Sequence, residues 1–323
     1  MARAISFGVF LTVIVGATAL VLVNAQSQPQ AQPTFRGGTD VVRVFTTVTD
    51  RDGKLVTTLT REDFELRDDG KPQAITQFDN TPQPVKLVAM LDVSSSMQGN
   101  LQLLRAGADQ LFARLLPDDV ARVGTFGSDV TISEAFTHDR GELRRALPET
   151  IAMDAPTPLW RGIDKALDAL HDGGDARGVI LVLSDGKDTS SLGLGGHPTS
   201  QAQVIDRARR EDVMIYAIGM RSRGPRPSSP GFGPGGLQAM MVADLPDPGL
   251  ARVAEETGGG YLEIRPGKDL GAAFGSVADE LHTQYLLGFA PGRRDGKVHG
   301  ISVRPAKSGM KARARKGYVA PRE

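Results

Sequence analysis

The sequence predicts a doubly wound α/β fold with a mostly parallel sheet, flanked by amino- and carboxy-terminal β segments. Three observations carry this. VKLVAMLD (85–92), GVILVLSDG (178–186) and VMIYAIGM (213–220) are continuous apolar runs, as strands covered by helices on both faces require. Each run is followed by a segment with apolar residues at helical spacing, so strand and helix alternate along the chain. Outside this succession, short alternating runs separated by Asp-Gly turns mark antiparallel strands at both sides.

Residues 1–25 read as an export signal: Arg3, then an apolar stretch of 19 residues from Ile5 to Val23, then Val23-Asn24-Ala25 as a small-residue cleavage site. That stretch is also just long enough to span a bilayer, so an uncleaved inner-membrane anchor is the competing reading. The polar QSQPQAQP that follows favours cleavage. Either way the remainder is expected on the exported side, periplasmic or secreted. Residues 26–38 read as a flexible linker.

An amino-terminal β segment is expected over 39–84. VVRVFTTVTD (41–50) turns at Asp52-Gly53, LVTTLT (55–60) and DFELRDDGKP (63–72) continue with a turn at Asp69-Gly70, and QAITQF (73–78) follows. At this size the segment must pack against a neighbour. In the main domain, 85–275, helices are expected over 100–115, 141–147, 159–170, 202–211, 249–256 and 270–281. VARVGTFG and VTISEAFT, divided by Ser128-Asp129, form a hairpin whose second strand is an antiparallel edge. GYLEIR (260–265) is a further strand. The remaining residues, 276–323, hold a helix end and the strands YLLGFAP, KVHGISVRP and MKARARKGYVA, with turns at Pro291-Gly292, Asp295-Gly296 and Ser308-Gly309. These strands are expected to meet the amino-terminal ones in a small β layer.

The segment 221–248 breaks the rhythm with six prolines and five glycines. It is either a disordered insertion or, because it leaves the carboxyl end of a strand, a rim beside the ligand edge of the sheet, with Phe232, Met240 and Met241 as apolar contacts.

Composition narrows the function. The chain has 323 residues, and 38 Lys plus Arg balance 38 Asp plus Glu, so no global field recruits nucleic acid or membrane. From Arg293 onward, ten Lys or Arg face only Asp295 and Glu323. Lys311, Arg313 and Arg315 would share one strand face, expected to be solvated. There is no cysteine, which excludes disulfides, thiolate metal sites, cysteine nucleophiles and a lipid-modified cysteine. The five histidines are scattered without zinc-enzyme spacing, no GxSxG elbow is present, and LDVSSSMQGN lacks a phosphate-loop pattern.

What remains are five oxygen-bearing side chains on three loops: Asp92, Ser94 and Ser96 in LDVSSSM, Thr157 in APTPLW, and Asp185 in VLSDGKD. Oxygen-only donors suit a hard divalent cation, Mg²⁺ before Mn²⁺ or Ca²⁺. Neutral hydroxyls leave such a cation under-neutralised and receptive to an external carboxylate. The alternative is that these residues cap helices or satisfy turns. Asp188 and Thr189 read as supporting or capping groups.

DVSSS, the downstream threonine loop and the later apolar-strand-SDG resemble the von Willebrand factor type A domain and its metal-ion-dependent adhesion site. The flanking VTDRDGKLV…LTREDFELRDDGKPQAITQF and QYLLGFAP…ARARKGY are similar to exported bacterial von Willebrand factor A-related proteins. The resemblance implies a Rossmann-like domain with Ser94 and Ser96 as direct ligands, Thr157 as a direct or water-mediated one, and Asp92 and Asp185 acting partly through water. One departure is that Ala155-Pro156 precede Thr157, where the family usually has glycines. The expectation is an exported, non-enzymatic, cation-dependent binder of a Glu or Asp presented by a protein partner. Two rivals are a metal-assisted hydrolase, with Glu134 and Asp154 as its acidic candidates, and a metal-free envelope module.

Overall fold

The structure, a computed structural model, describes residues 41–172, 176–189, 199–221, 246–265 and 270–322. The expected signal, the linker and nearly all of the 221–248 segment lie outside the described residues. The amino-terminal segment supplies β1 (Val42–Thr49), β2 (Phe64–Asp68), β3 (Lys71–Gln73) and β4 (Gln77–Asp79). The α/β succession follows as β5 (Val85–Asp92), α1 (Leu101–Ala113), β6 (Val120–Phe126), β7 (Val130–Ile132), α2 (Arg140–Arg145), α3 (Leu159–Leu170), β8 (Arg177–Ser184), α4 (Gln201–Arg210), β9 (Met214–Met220), α5 (Pro248–Thr257), β10 (Tyr261–Ile264) and α6 (Leu270–Leu281). Strands β11 (Tyr285–Phe289), β12 (Val298–Pro305), β13 (Lys311–Arg313) and β14 (Gly317–Val319) complete it.

The central sheet has the order β10-β9-β8-β5-β6-β7, parallel throughout except for the antiparallel edge strand β7. Strand pleating explains why β5 is apolar on both faces from Leu87 to Leu91. Leu87, Ala89 and Leu91 pack toward α1 and α6, while Val88 and Met90 pack toward α3, α4 and α5. Each of the larger side chains buried this way contributes about 1.5–3 kcal/mol. Helix α3 shows the matching pattern, with Leu159, Ile163, Ala166, Leu167 and Leu170 buried and Arg161, Lys165 and Asp168 exposed. Trp160 belongs to this core.

The flanking strands form two antiparallel four-stranded sheets, β13-β1-β11-β4 and β14-β12-β2-β3. They face each other across Val42, Val44, Val48, Phe64, Leu66, Leu287 and Ile301, with edge-on aromatic pairs Phe64–Tyr285 and Phe289–Tyr318. The amino- and carboxy-terminal segments thus meet, but as a two-sheet sandwich instead of one layer, because both segments carry inward-facing apolar rows.

Two local expectations change. Residues 55–60 are not a strand beyond the single Thr49–Leu55 bridge. There the Tyr285 hydroxyl takes the place of a strand partner, accepting from Leu59 N at 3.0 Å and donating to Val56 O at 2.8 Å. The tail MKARARKGYVA is divided between β13 and β14, which lie in different sheets. Its charges are consequently not a solvated stripe: Arg313 bonds Glu280, and Arg315 Nη1 donates to Asp212 Oδ1 at 2.6 Å.

The sandwich is anchored to the α/β part near the amino ends of β8 and β9. Arg177 stacks over Phe45 at 4.0 Å and donates to Gln284. Glu280 accepts from Thr47 Oγ1 at 2.8 Å and Tyr216 Oη at 2.5 Å. The opposite, carboxyl end of the parallel sheet, about 25 Å away at about 3.3 Å per strand residue, holds Asp92 and Asp185. Among the described residues no helix is long and apolar enough to cross a membrane.

Candidate metal centre

Strands β5 and β8 lie side by side in parallel, with Leu91 opposite Leu183. That register brings Asp92, at the end of β5, beside Ser184, and Asp185 follows at once. Asp92 Oδ1 accepts from Ser94 N at 2.8 Å and Oδ2 from Ser184 Oγ at 2.5 Å. A 3-10 turn over Ser95–Asn100, pinned by the buried Met97, folds the serines back over the strand ends. Ser94 Oγ and Ser96 Oγ are 3.0 Å apart, and Ser96 Oγ donates to Asp185 Oδ1 at 2.6 Å. The two serines thereby link the two aspartates, although 89 residues separate Ser96 from Asp185.

The threonine loop joins from the side. Ser95 N donates to Ala155 O at 3.2 Å. Thr157 N donates to Thr189 Oγ1 at 2.8 Å, and Thr189 N returns a bond to Thr157 O at 2.9 Å. Gly186 makes room for the threonine, because a Cβ there would stand 2.9 Å from Thr157 Oγ1. The stiff Ala155-Pro156 approach therefore still delivers Thr157 to the loop that carries Asp185. Asp188 Oδ1 accepts from Trp160 N at 3.3 Å at the start of α3, and Asp188 N donates to Asp247 Oδ2 at 3.1 Å. Asp247 in turn caps α5 through Gly249 N at 2.7 Å. Asp188 and Thr189 hold the loops in register, as expected of supporting groups.

Electrostatics set this cluster apart. Asp92 is fully buried and Asp185 is 1% exposed. Burial raises the Asp92 pKa to about 6, against the pull of its hydrogen bonds from Ser184 and Ser94. Burial first, and the neighbouring Asp92 charge second, raise Asp185 to about 7. Among the described residues no lysine or arginine forms an ion pair with either. Asp185 Oδ2 is buried without a hydrogen-bond partner, a costly state for a carboxylate oxygen. Two adjacent carboxylates, one with an unsatisfied oxygen, and the Ser94 and Ser96 hydroxyls, with Thr157 on the neighbouring loop, fit a hard divalent cation, whose charge would relieve both the repulsion and the orphaned oxygen. Ser96 is exposed, so the cluster opens outward on that side.

Ser184 went unnoticed in the sequence. Its place in SDG, directly before Asp185 on a strand flanking β5, is the signal that could have revealed it. The acidic candidates for hydrolysis are elsewhere: Glu134 is exposed and meets Arg122 through its carbonyl, and Asp154 is exposed with φ 60°. Neither hydrogen-bonds the Asp92–Asp185 pair among the described residues.

Residues 87–187 match the von Willebrand factor type A domain family. Comparison with curated proteins gives no match. Similar solved structures include a von Willebrand factor type A protein from Catenulispora acidiphila, 11% identical over 89% of this chain and 76% of that one, with a TM-score of 0.48. The conserved hypothetical protein BatB from Bacteroides thetaiotaomicron is 15% identical over 61% of this chain and 97% of its own, with a TM-score of 0.44. The pilus adhesin SpaC from Lactobacillus rhamnosus GG is 11% identical over 80% and 48%, with a TM-score of 0.44. The span that matches the von Willebrand factor type A domain model, residues 87–187, contains Asp92, Ser94, Ser96, Thr157 and Asp185.

Proposed function

We propose that the chain is an exported, non-enzymatic protein that binds a Glu or Asp carboxylate of a protein partner through a divalent cation, Mg²⁺ or alternatively Mn²⁺ or Ca²⁺. Asp92, Ser94, Ser96, Thr157 and Asp185 would hold the ion. Its chemistry there is that of a Lewis acid which accepts an external carboxylate oxygen. The chain's own residues do the rest. Ser184 and the Ser94 backbone orient Asp92, the Ser94–Ser96 pair ties it to Asp185, and Thr189 sets the Thr157 loop.

The observation that carries this reading is the orphaned, buried Asp185 Oδ2 beside a second buried carboxylate, at the sheet edge where α/β folds bind ligands. Domains of this family often bind divalent metals and commonly bind protein partners. Export rests on the character of residues 1–25. The test is a titration of EDTA-stripped protein with MgCl₂ and MnCl₂, followed by capture of carboxylate-bearing partner peptides with and without EDTA. One cation per chain, lost in Asp185→Ala together with capture, is expected. Capture that survives excess EDTA would overturn the reading, and ester or phosphoester turnover abolished by Asp92→Ala would replace it with a hydrolase.

A further inference from the structure

We infer that Asp68, Asp69 and His299 form a second cation site, in the sandwich and independent of the adhesion-type centre, suited to a zinc-like divalent ion. Asp68 ends β2, Asp69 opens the turn to β3, and His299 lies on β12, more than 200 residues away. Strand register places them together: Ile301 pairs with Asp68, and His299 pairs with Tyr318. Their ligand atoms, one from each, all lie within 4.8 Å of one another.

Every other polar atom of the cluster is already engaged, and this aims the remaining ones at a common point. Tyr318 Oη donates to Asp68 Oδ2 at 3.1 Å, and Gly300 N donates to Asp69 Oδ1 at 2.8 Å. His299 Nε2 meets Asp295 Oδ1 at 3.1 Å, and Lys297 N holds that same carboxylate oxygen at 2.9 Å. What is left is His299 Nδ1, 3.3 Å from Asp68 Oδ1 and 3.0 Å from Asp69 Oδ2. Asp68 is 5% exposed, and its Oδ1 is buried without a hydrogen-bond partner. A single Nδ1–H could serve only one of the two carboxylates, and Asp69 is the nearer.

These separations are those of a ligand set. Bonds of about 2.0 Å in a tetrahedral zinc site place neighbouring donors about 3.3 Å apart. An imidazole that gives its far N–H to a carboxylate while its near nitrogen faces a cation is a recurrent arrangement of metal-bound histidine, and Asp295 supplies that carboxylate. Imidazole with carboxylates suits zinc-like ions better than magnesium. Asp69 is half-exposed, which leaves a side for water in a fourth position. The proton is the competitor. Burial favours the neutral ring, but the hydrogen bond with Asp295 and the charges of Asp68, Asp69 and Asp295 raise the His299 pKa.

The full chain carrying Asp185→Asn, which disables the other centre, is stripped with chelator and titrated with ZnCl₂ by calorimetry. One Zn²⁺ per chain is expected, with a rise in melting temperature. Adding Asp69→Asn should weaken binding at least tenfold. Asparagine tolerates the left-handed φ of 47° at this position, so this variant should fold, as circular dichroism would verify. Asp295→Asn should cost 10–100-fold by releasing the ring, and zinc-edge absorption should report one imidazole nitrogen among oxygens. No stoichiometric zinc in the Asp185→Asn chain would overturn the inference. So would zinc binding that is unchanged by Asp69→Asn and His299→Gln, or a His299 ring that stays doubly protonated in NMR spectra with zinc present.

Discussion

Replacing Asp185 by Asn should make the metal-free protein more stable at neutral pH while abolishing its response to Mg²⁺. A carboxylate whose folded pKa is raised favours the native state only while it is protonated. That contribution is complete below the unfolded value of 3.8 and is lost as pH rises through about 7 for Asp185 and about 6 for Asp92. The rise from 3.8 to about 7 at Asp185 corresponds to about 4 kcal/mol of native-state penalty above neutrality, at about 1.36 kcal/mol per pKa unit. Water penetration and local relaxation reduce this, so about 2–4 kcal/mol is expected, or roughly 5–10 °C in melting temperature. The difference between variant and wild type should be near zero at pH 4, grow through pH 5–6 and level off above pH 7. In wild type, a cation at 100 times its dissociation constant would contribute about 2.7 kcal/mol; in the variant that gain should vanish. The assay is denaturant unfolding in EDTA and in MgCl₂ across this pH range. A variant no more stable than wild type at pH 8 in EDTA would refute the claim that two buried carboxylates repel there.

Three other substitutions probe the supports. Gly186→Ala puts a Cβ 2.9 Å from Thr157 Oγ1 and should push the threonine aside, weakening cation binding about tenfold, equivalent to about 1.4 kcal/mol of lost binding energy, while the chain still folds; calorimetry reads it. Ser184→Ala removes the 2.5 Å bond to Asp92 Oδ2 and leaves a buried carboxylate oxygen short of a donor, costing about 1–3 kcal/mol in unfolding free energy at pH 8. Glu280→Ala strands Thr47, Tyr216 and Arg313 at the junction with the sandwich. It should cost about 3 kcal/mol and leave Mg²⁺ affinity unchanged, which chemical denaturation and calorimetry together would establish.

The parallel sheet was legible because its strands are buried on both faces, and VKLVAMLD or VILVL admits few other readings. Asp92, Ser94, Ser96 and Asp185 were legible for a related reason: each directly follows, or nearly follows, such a strand, so sequence neighbours imply a shared edge. Ser184 was missed because its partner lies across the sheet and only the β5–β8 register shows it. The sandwich was half legible. Turns such as Asp69-Gly70 locate strand ends, yet nothing local says that β13 and β14, three residues apart, go to different sheets. Residues 55–60 alternate like a strand, but the Tyr285 hydroxyl, from more than 200 residues downstream, replaces the strand partner. The Asp68–Asp69–His299 cluster was invisible for the same reason, since its spacing follows no local metal motif.

The two ends of the sheet divide the work of the fold. At the carboxyl end Asp92 and Asp185 are buried together, and the hydrogen-bond donors they meet among the described residues are hydroxyls and backbone amides. The amino end pairs several of its charges, as in Glu280–Arg313 and Arg315–Asp212. A buried carboxylate pair with no lysine or arginine paired to it among the described residues is the state expected of a site whose counter-charge arrives from solution.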